Sequence, residues 1–422
     1  MADLLPRLQS CLGLITLIGL AFACSENRRA PPPWRWTLGA IALQLLLAVV
    51  ILLVPAVWET LRAMNAGVIA IEHATLEGSS YMFGYLGGAP LPFDLKPGAP
   101  RPVVIAFQIL PLIITMSALA ALLWHWGVLR QIVRGLSWAL RKTLGVSGVV
   151  GLNAGANLFL GVVEAPLVVR GWLATISRHE LFAVMTLGMS TVSGVVLVLY
   201  AQTLSRSIDN SFGHILAASL ISLPAALLIA RILVPGESRT GATSDGTELR
   251  YQGTMDALVR GTLDGLQLFL AVIAVIIVVF SLVALANQML GALPDYAGAP
   301  LTVQRLFGWL FAPLMWLLGV PWTEAATAGS LMGVKAILNE YVAYLELAAL
   351  PAGSLSPRSM LISIYAMCGF ANLASIGLLV STLTTLCPDR RREIASLGFK
   401  SWLAGNLVSM MTGAVVGIVA AG

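Results

Sequence analysis

The sequence predicts an all-α protein that crosses a membrane several times, and three observations support this prediction. Hydrophobic residues make up 58% of the 422-residue chain and charged residues only 11%, whereas a soluble domain carries about 25% charged residues. Eight stretches have the roughly 20 mostly apolar residues that a membrane-spanning helix needs. Two further apolar stretches are interrupted by proline, asparagine and glutamate, which predicts helices that enter the membrane and turn back.

The eight predicted spans follow one another along the whole chain. We expect the first to be a span rather than a cleaved signal peptide, because only Arg7 precedes it as a basic residue and a second long apolar segment follows. The predicted spans are Leu8–Cys24, Leu38–Trp58, Val103–Trp124, Leu181–Gln202, Gly213–Ala230, Leu268–Ala286, Met360–Leu386 and Leu403–Ala421.

The two interrupted stretches, Val149–Val169 and Phe307–Leu350, are predicted to be re-entrant hairpins. Each half is too short or too polar to cross a membrane alone. Irregular backbone survives at membrane depth only where protein surrounds it or where it lines a cavity. The predicted hairpin tips lie near Glu164 and Glu340.

Each predicted hairpin precedes a span with a waist of small and polar residues. The waist is Ser190–Gly194 after the first hairpin and Gly369–Gly377 after the second. Hairpins that enter from opposite sides would make this plan an inverted repeat, with a substrate site at the middle of the membrane. The predicted domains are an N-terminal scaffold (1–145), a first repeat (146–235), a cytoplasmic linker (236–253) and a second repeat (254–422).

The basic residues predict the orientation of the chain. With the N-terminus outside, 17 of the 25 Lys and Arg residues lie in inside loops, as the positive-inside rule requires. The bias agrees with this rule only if the two hairpins do not cross the membrane. Hairpin one then enters from the cytoplasm and hairpin two from outside. Gln131–Leu144 places apolar and basic side chains on opposite faces, which predicts an interfacial helix.

Seven polar side chains fall at predicted membrane depth. A carboxylate at the bilayer centre costs roughly 2.5–3.5 kcal/mol on insertion scales, so two carboxylates imply a polar cavity, a partner or a bound ligand. Ser and Thr can instead hydrogen-bond within or between helices. The seven residues are Asn157, Glu164, Thr191, Asn339, Glu340, Asn372 and Ser375.

Other classes of function fit the sequence less well. The net charge of +5 does not come from a basic cluster on a polar domain, so we expect no nucleic-acid partner. The chain has no zinc-protease or nucleophile-elbow motif, which argues against an enzyme, and no phosphate-binding loop for ATP-driven transport. Inverted broken hairpins favour alternating access over a channel. We expect no cofactor beyond a coupling ion.

Five parts of the chain resemble the concentrative nucleoside transporter family, in the family's order. The similarity extends over nearly the whole chain. The matching stretches are Ala156–Gly161 with Glu164–Leu167; Glu180–Thr186 with Gly188–Gly194; Phe311–Pro313 with Gly319–Trp322; Gly333, Lys335 and Asn339–Tyr344; and Cys368–Asn372 with Ser375–Gly377.

This resemblance implies a homotrimer in a bacterial inner membrane, in which each protomer imports a nucleoside with sodium or a proton. It implies that Glu340, Asn372 and Ser375 bind the ribose, whose hydroxyls both donate and accept hydrogen bonds. The rest of the implied substrate site is Asn339 and Phe370 in the same pocket, and Val162, Val163 and Glu164 at the hairpin tip that faces the base.

The resemblance also implies a sodium site in the first half of the chain. Its ligands would be the side chains of Asn157 and Thr191 with backbone carbonyls of Asn157, Leu160, Thr191 and Val192. Oxygen ligands from unwound backbone suit such an ion. Because both side chains are present, sodium is favoured over a proton as the coupling ion.

Two departures from the family pattern bear on function. Val162–Val163 stands where the family usually has Gln-Thr. Valine cannot hydrogen-bond a base, and an unpaired buried polar group costs about 1–3 kcal/mol. We therefore expect relaxed base selectivity or a differently shaped nucleoside, and the alternative is a nucleobase or another polar metabolite. Gly148–Gly151 also lacks the acid of the family's usual Gly-x-Glu-Ser, which removes a charge near hairpin one.

Overall fold

A computed structural model describes residues 4–29, 34–96, 102–205, 207–236, 250–296 and 298–420. Helices make up the regular structure of these residues, apart from an isolated β-bridge between Tyr296 and Ala299. The predicted all-α class is therefore confirmed. Most of the predicted linker, residues 237–249, lies outside the described part of the chain.

The described residues before position 237 form eleven α-helices. Polar N-caps begin several of them: Ser147 accepts a hydrogen bond from the Val150 N–H, and Ser177 forms a capping box with Glu180. The helices are α1 Leu4–Ala23, α2 Trp34–Leu53, α3 Pro55–Phe83, α4 Ile105–Gln108, α5 Leu112–His125, α6 Val128–Leu144, α7 Gly148–Asn157, α8 Ala165–Val168, α9 Arg178–Ser190, α10 Gly194–Leu204 and α11 Ser211–Leu233.

The described residues from position 250 onward form seven more α-helices. The 38-residue helix α12 is far longer than the roughly 20 residues that a span needs. The helices are α12 Thr254–Gly291, α13 Val303–Leu317, α14 Trp322–Ile337, α15 Glu340–Ala349, α16 Pro357–Met367, α17 Leu373–Leu386 and α18 Arg391–Val419.

Many of the described helices are long enough to span a membrane, as the hydropathy of the sequence predicts. Among the described residues, seven helical segments are long and apolar enough to cross a membrane. Four of the predicted spans lie mainly within single helices, namely α1, α11, α12 and α18. The chain is therefore built for a bilayer, although the exact number of crossings stays a prediction.

The predicted span Leu38–Trp58 is wrong at its C-terminal end. Helix α2 ends at Leu53, and Pro55 begins the separate 29-residue helix α3. Proline favours a first helical turn because it has no N–H to leave unpaired. A search for long apolar runs misses α3, because residues such as Glu59 and Glu72 interrupt its hydropathy.

Three other predicted spans are interrupted. Met360–Leu386 is not one helix, because α16 ends at Met367 and α17 begins at Leu373. The span predicted at Leu181–Gln202 breaks between α9 and α10, and that at Val103–Trp124 breaks between α4 and α5. Ser193 and Asn372 cap α10 and α17 with their side chains, and such caps favour a new helix start over a continuous helix.

Both predicted hairpins contain the expected break, whereas their re-entry into the membrane stays a prediction. In hairpin one, α7 and α8 flank an irregular turn at residues 158–164. In hairpin two, α14 and α15 flank Leu338–Asn339, beside Glu340. The predicted stretch Phe307–Leu350 contains parts of three helices, because it begins within α13, which bends 116° from α14.

Helix α12 packs against α5 through two glycines one turn apart. A Cβ atom on Gly261 would lie 2.6 Å from the Ala121 Cβ, and one on Gly265 would lie 2.8 Å from the Ile114 Cα. Small residues at this spacing let two backbones approach closely in a membrane. This contact sets the position of α12 along α5.

Charged side chains connect the ends of α1, α9 and α18. Glu26 follows α1 and accepts hydrogen bonds from Arg178 and Lys400, both at 2.8 Å. Arg178 also lies 3.5 Å from Glu393, which pairs with Arg390 at 2.8 Å. The hydrogen bond from Arg178, supported by Lys400 and opposed by partial burial, lowers the pKa of Glu26 below its ordinary value. We call these five residues the Glu26 cluster.

Candidate functional site

The buried carboxylate of Glu340 is the centre of the site. Glu340 is 1% exposed. The Tyr200 hydroxyl donates to one carboxylate oxygen at 2.6 Å, and the Asn372 Nδ2 donates to the other at 2.7 Å. A carboxylate has about four lone-pair positions, so Glu340 can still accept hydrogen bonds from a bound molecule.

Two N-caps position the groups around this carboxylate. The Asn339 Oδ1 accepts from the Tyr341 N–H at 2.7 Å, and the Asn372 Oδ1 accepts from the Ser375 N–H at 2.9 Å. These caps begin α15 and α17. Glu340 is therefore held in the first turn of α15, facing the amide nitrogen of Asn372.

A second buried charge, Lys335, is tied to the same region. Lys335 is fully buried, and its Nζ donates to the Asn406 Oδ1 at 2.9 Å and to the Ser409 Oγ at 3.1 Å. The Asn406 Nδ2 donates to the Ala371 carbonyl at 3.2 Å. Helices α14 and α18 are thus connected to the backbone immediately before Asn372.

A cavity of about 230 Å³ opens beside Glu340, and we call it the Glu340 cavity. One of its walls is formed by apolar side chains of α12. The structure brings together there all five substrate residues predicted in the second half of the chain. They are Asn339, Glu340, Phe370, Asn372 and Ser375.

A second cavity of about 130 Å³ lies at the turn of hairpin one, and we call it the Glu164 cavity. Gly161 has φ +93° in this turn, a conformation that glycine adopts without strain. Glu164 occupies the N-cap position of α8 and is partly buried. The predicted residues of the first half that line this cavity are Leu160, Val162, Val163, Glu164 and Thr191.

The two cavities share a wall. Their volumes together fall near the lower end of the roughly 300–1,000 Å³ of small-ligand sites. One elongated molecule could therefore contact Glu340 at one end and Glu164 at the other. The residues that line both cavities are Val196, Leu268, Phe370 and Leu378.

The candidate ion ligands lie in the wall of the Glu164 cavity, which Leu160 and Thr191 line, or next to it in the sequence. Asn157 is 1% exposed, and its Oδ1 has no hydrogen-bond partner among the described residues. Thr191 ends α9, and its hydroxyl donates to the Leu187 carbonyl at 2.9 Å. Leu160 follows α7 in the hairpin turn, and the buried Val192 follows Thr191 in the helix break. A buried, unpartnered amide oxygen beside broken helices fits a cation that prefers neutral oxygen ligands.

The hairpin turn and the break after α9 touch directly. The Gly194 N–H donates to the Phe159 carbonyl at 3.2 Å. Residues from both proposed parts of the ion site are therefore held side by side. The valines at 149 and 150, where the sequence lacks an acid, are buried in α7.

Three polar residues of the candidate site were not predicted from the sequence. Tyr200 resembled an ordinary aromatic residue of a span, and nothing local marks it as a donor to Glu340. Tyr251 and Asp264, which line the Glu164 cavity, precede the apolar run that starts at Leu268. An acid one turn before a predicted span was the available signal for Asp264.

Comparison with known families matches most of the chain to nucleoside transporters. The models described as "Na+ dependent nucleoside transporter" N-terminus and C-terminus match residues 12–86 and 214–417. A third, described as "Gate: Nucleoside recognition", matches residues 106–207.

Curated relatives match over almost their full length or over a large part of it. The nucleoside permease NupC of Helicobacter pylori is 32% identical, with 97% of each chain covered. The sodium/nucleoside cotransporter 1 of Mus musculus is 28% identical, with 98% of this chain and 64% of that protein covered.

Solved structures match as closely. CNTnw in an inward-facing, substrate-bound state is 35% identical, covers 98% of both chains and gives a TM-score of 0.86. A substituted form of CNTnw in an intermediate state gives a TM-score of 0.88 at 35% identity, over 98% of this chain and 99% of that one.

Proposed function

The chain belongs to the concentrative, sodium-dependent nucleoside transporter family, and from this premise we propose that it imports nucleosides by symport with sodium. The observation that carries this proposal is the buried Glu340, which two donors hold beside a cavity. A buried carboxylate is costly unless it is paired or binds a ligand. A ribose supplies hydroxyl donors for the free lone pairs of the Glu340 carboxylate.

The ribose would lie in the Glu340 cavity. Glu340 accepts from a ribose hydroxyl, while Ser375 can both donate and accept. Phe370, in the wall shared by the cavities, would pack against the nucleoside between sugar and base. Asn339 acts mainly through its cap, which places Glu340 at the start of α15.

Sodium would bind next to the hairpin-one turn. The unpartnered Oδ1 of Asn157 and the Thr191 hydroxyl supply side-chain oxygens, and the backbone carbonyls at Asn157, Leu160, Thr191 and Val192 complete the ligand set. Ion binding would join the turn to the break after α9, and so order the wall of the Glu164 cavity. Coupling to a proton is the second candidate for the driving ion.

Transport would proceed by alternating access. The moving part would be the two hairpins and the helices that follow them, which belong to the repeats at 146–235 and 254–422. They would move against a scaffold formed by residues 1–145 together with α12. We propose that both hairpins are re-entrant, that the N-terminus lies outside a bacterial inner membrane, and that α6 lies in the interface. The assembly would be a homotrimer, which crosslinking in native membranes can test.

The first test is uptake of radiolabelled nucleosides into proteoliposomes under imposed sodium or proton gradients. We expect accumulation driven by sodium, and a loss of at least about tenfold in Glu340→Gln, because the loss of a charged hydrogen-bond partner costs roughly 1.5–3 kcal/mol. Glu346→Gln is the matched control: Glu346 also lies on α15 but faces Gln304 in a separate groove.

Each outcome bears on the proposal. Nucleoside uptake by Glu340→Gln at the wild-type rate would remove Glu340 from the site. Uptake of free nucleobases, with no nucleoside uptake under either gradient, would instead favour the alternative in which this fold carries a nucleobase or another polar metabolite. The Val162–Val163 pair motivates that alternative.

A further inference from the structure

The polar wall of the Glu164 cavity has an unusual composition. Among the described residues that line it, the charged groups are two carboxylates, Glu164 and Asp264, and the other polar side chains are hydroxyls. None of these lining residues has an amide, guanidinium, ammonium or imidazole side chain. The strongest hydrogen-bonding groups of the wall are therefore acceptors.

Glu164 is available to a ligand. Its carboxylate lies 3.4 Å from the position that a Cβ on Gly161 would occupy, so the side chain folds back over the turn. Within the described chain it accepts no hydrogen bond from another residue's side chain. Val162 and Val163, its neighbours, offer no polar group that could satisfy it.

Asp264 faces the same cavity from α12. The close contact of Gly261 and Gly265 with α5 holds this turn of α12 in place. Arg260, one turn earlier, donates to Asp256 at 2.7 Å and so has a carboxylate partner of its own. Asp264 therefore presents a second acceptor to this cavity, from α12.

The chemistry of the bases distinguishes between possible ligands. A carboxylate pairs best with two adjacent N–H donors, as in its bidentate pairing with arginine. Guanine offers such a pair on one edge, at N1–H and the N2 amino group. Uracil offers a single N–H between two carbonyl oxygens, which would face the carboxylates with like charge.

We propose that this transporter selects nucleosides whose base presents N–H donors, guanosine above all, with Glu164 pairing the N1–H and N2 amino edge and Asp264 supplying a second acceptor. This proposal rests on the proposed nucleoside transport. It assigns Asp264 as a specificity residue and gives the Val162–Val163 pair a consequence, which is the loss of donors that a uracil carbonyl would need.

The test is competition against uptake of a labelled nucleoside that the wild-type protein accumulates in proteoliposomes. Unlabelled guanosine, inosine, adenosine, cytidine and uridine are compared by half-inhibitory concentration. We expect guanosine to compete at least about tenfold better than uridine, with inosine between them, since inosine keeps N1–H and lacks the N2 amino group. This factor is the low end of what a charged hydrogen bond contributes.

Variants assign the preference to residues. Glu164→Gln should lower the guanosine-to-uridine preference by roughly tenfold or more, and Asp264→Asn should lower it by less. Glu346→Gln is the matched control, because Glu346 faces Gln304 in a separate groove and does not line the Glu164 cavity. Each variant is first checked for wild-type elution and thermal unfolding, so that a changed ratio is not a folding defect.

The results distinguish a failure of this base preference from a failure of the proposed nucleoside transport. Wild-type uptake with uridine equal to or better than guanosine would overturn this inference and leave nucleoside transport intact, as would an unchanged preference in Glu164→Gln. Absence of any nucleoside uptake under either gradient would overturn the proposed function itself.

Discussion

Lys335 and Glu340 are opposite charges buried in one core, only five positions apart in the sequence. Lys335 donates to the neutral oxygens of Asn406 and Ser409, and Glu340 accepts from Tyr200 and Asn372. Each charge thus has its own hydrogen bonds, and together they leave this part of the interior with no net charge. Removing one partner of such a pair leaves an uncompensated buried charge.

Lys335→Met should therefore lower the stability of the protein by about 3–5 kcal/mol. The double variant Lys335→Met with Glu340→Gln should recover part of this loss, because it removes both charges. Thermal unfolding of the purified protein in detergent measures both effects. Lys142→Met, an exposed lysine on α6, serves as control and should change little. A double variant no more stable than Lys335→Met would show that the two charges are not coupled.

At the scale of elements, helix breaks build the site. The breaks after α9, α14 and α16 place Thr191, Asn339 and Asn372 where a continuous helix would have turned them elsewhere. Unwound backbone exposes amides and carbonyls that an intact helix would use internally. Helix α12 is continuous, lines both cavities and is packed closely on α5.

Gly265→Ala should destabilise the protein by about 1–3 kcal/mol, because the new Cβ would overlap the backbone of α5. The Cβ would lie 2.8 Å from both the Ile114 Cα and the Ser117 Cβ. Gly291→Ala, on the same helix with open space around it, should be neutral or stabilising, because alanine favours a helix by up to about 1 kcal/mol. Equal melting temperatures for the two variants would contradict this account of the contact.

At the scale of the whole molecule, the Glu26 cluster joins segments that are far apart in sequence. Glu26 follows α1, Arg178 begins α9, and Lys400 lies on α18. These connections lie outside the predicted spans, at one end of the bundle, where solvent reaches them. Because the side chains are partly exposed, we expect a modest contribution that salt weakens.

The lowered pKa of Glu26 gives this contribution a direction with pH. A carboxyl group whose pKa is lower in the folded protein stabilises the fold above its unfolded pKa and loses that effect as the pH falls through the folded value. Glu26→Gln should thus be less stable than the wild type near pH 7, by about 1 kcal/mol. The two should converge as the pH falls below the unfolded pKa of about 4.3 and through the lower folded one. Unfolding across this range, with the exposed Glu77→Gln as control, measures the difference. A gap that persists at low pH would mean that the cluster acts through packing instead of charge.

Hydropathy and motif spacing determined the all-α membrane class, the positions of both hairpin breaks and most of the candidate site. Burial in a bilayer demands long apolar runs, and a glutamate or asparagine inside such a run needs a structural reason, so Glu164, Glu340 and Asn372 were visible in the sequence. Family membership followed from the same stretches.

Only the tertiary structure revealed α3, the division of Phe307–Leu350 into three helices, and the positions of Tyr200, Tyr251 and Asp264 at the candidate cavities. Hydropathy reports how apolar a segment is, and it does not report which way a side chain faces or what lies opposite. Tyr200 reaches Glu340 across 140 positions of sequence, and Asp264 meets the turn of Glu164 through a helix packed on α5. Contacts of this kind depend on how helices pack, which no local pattern of residues encodes.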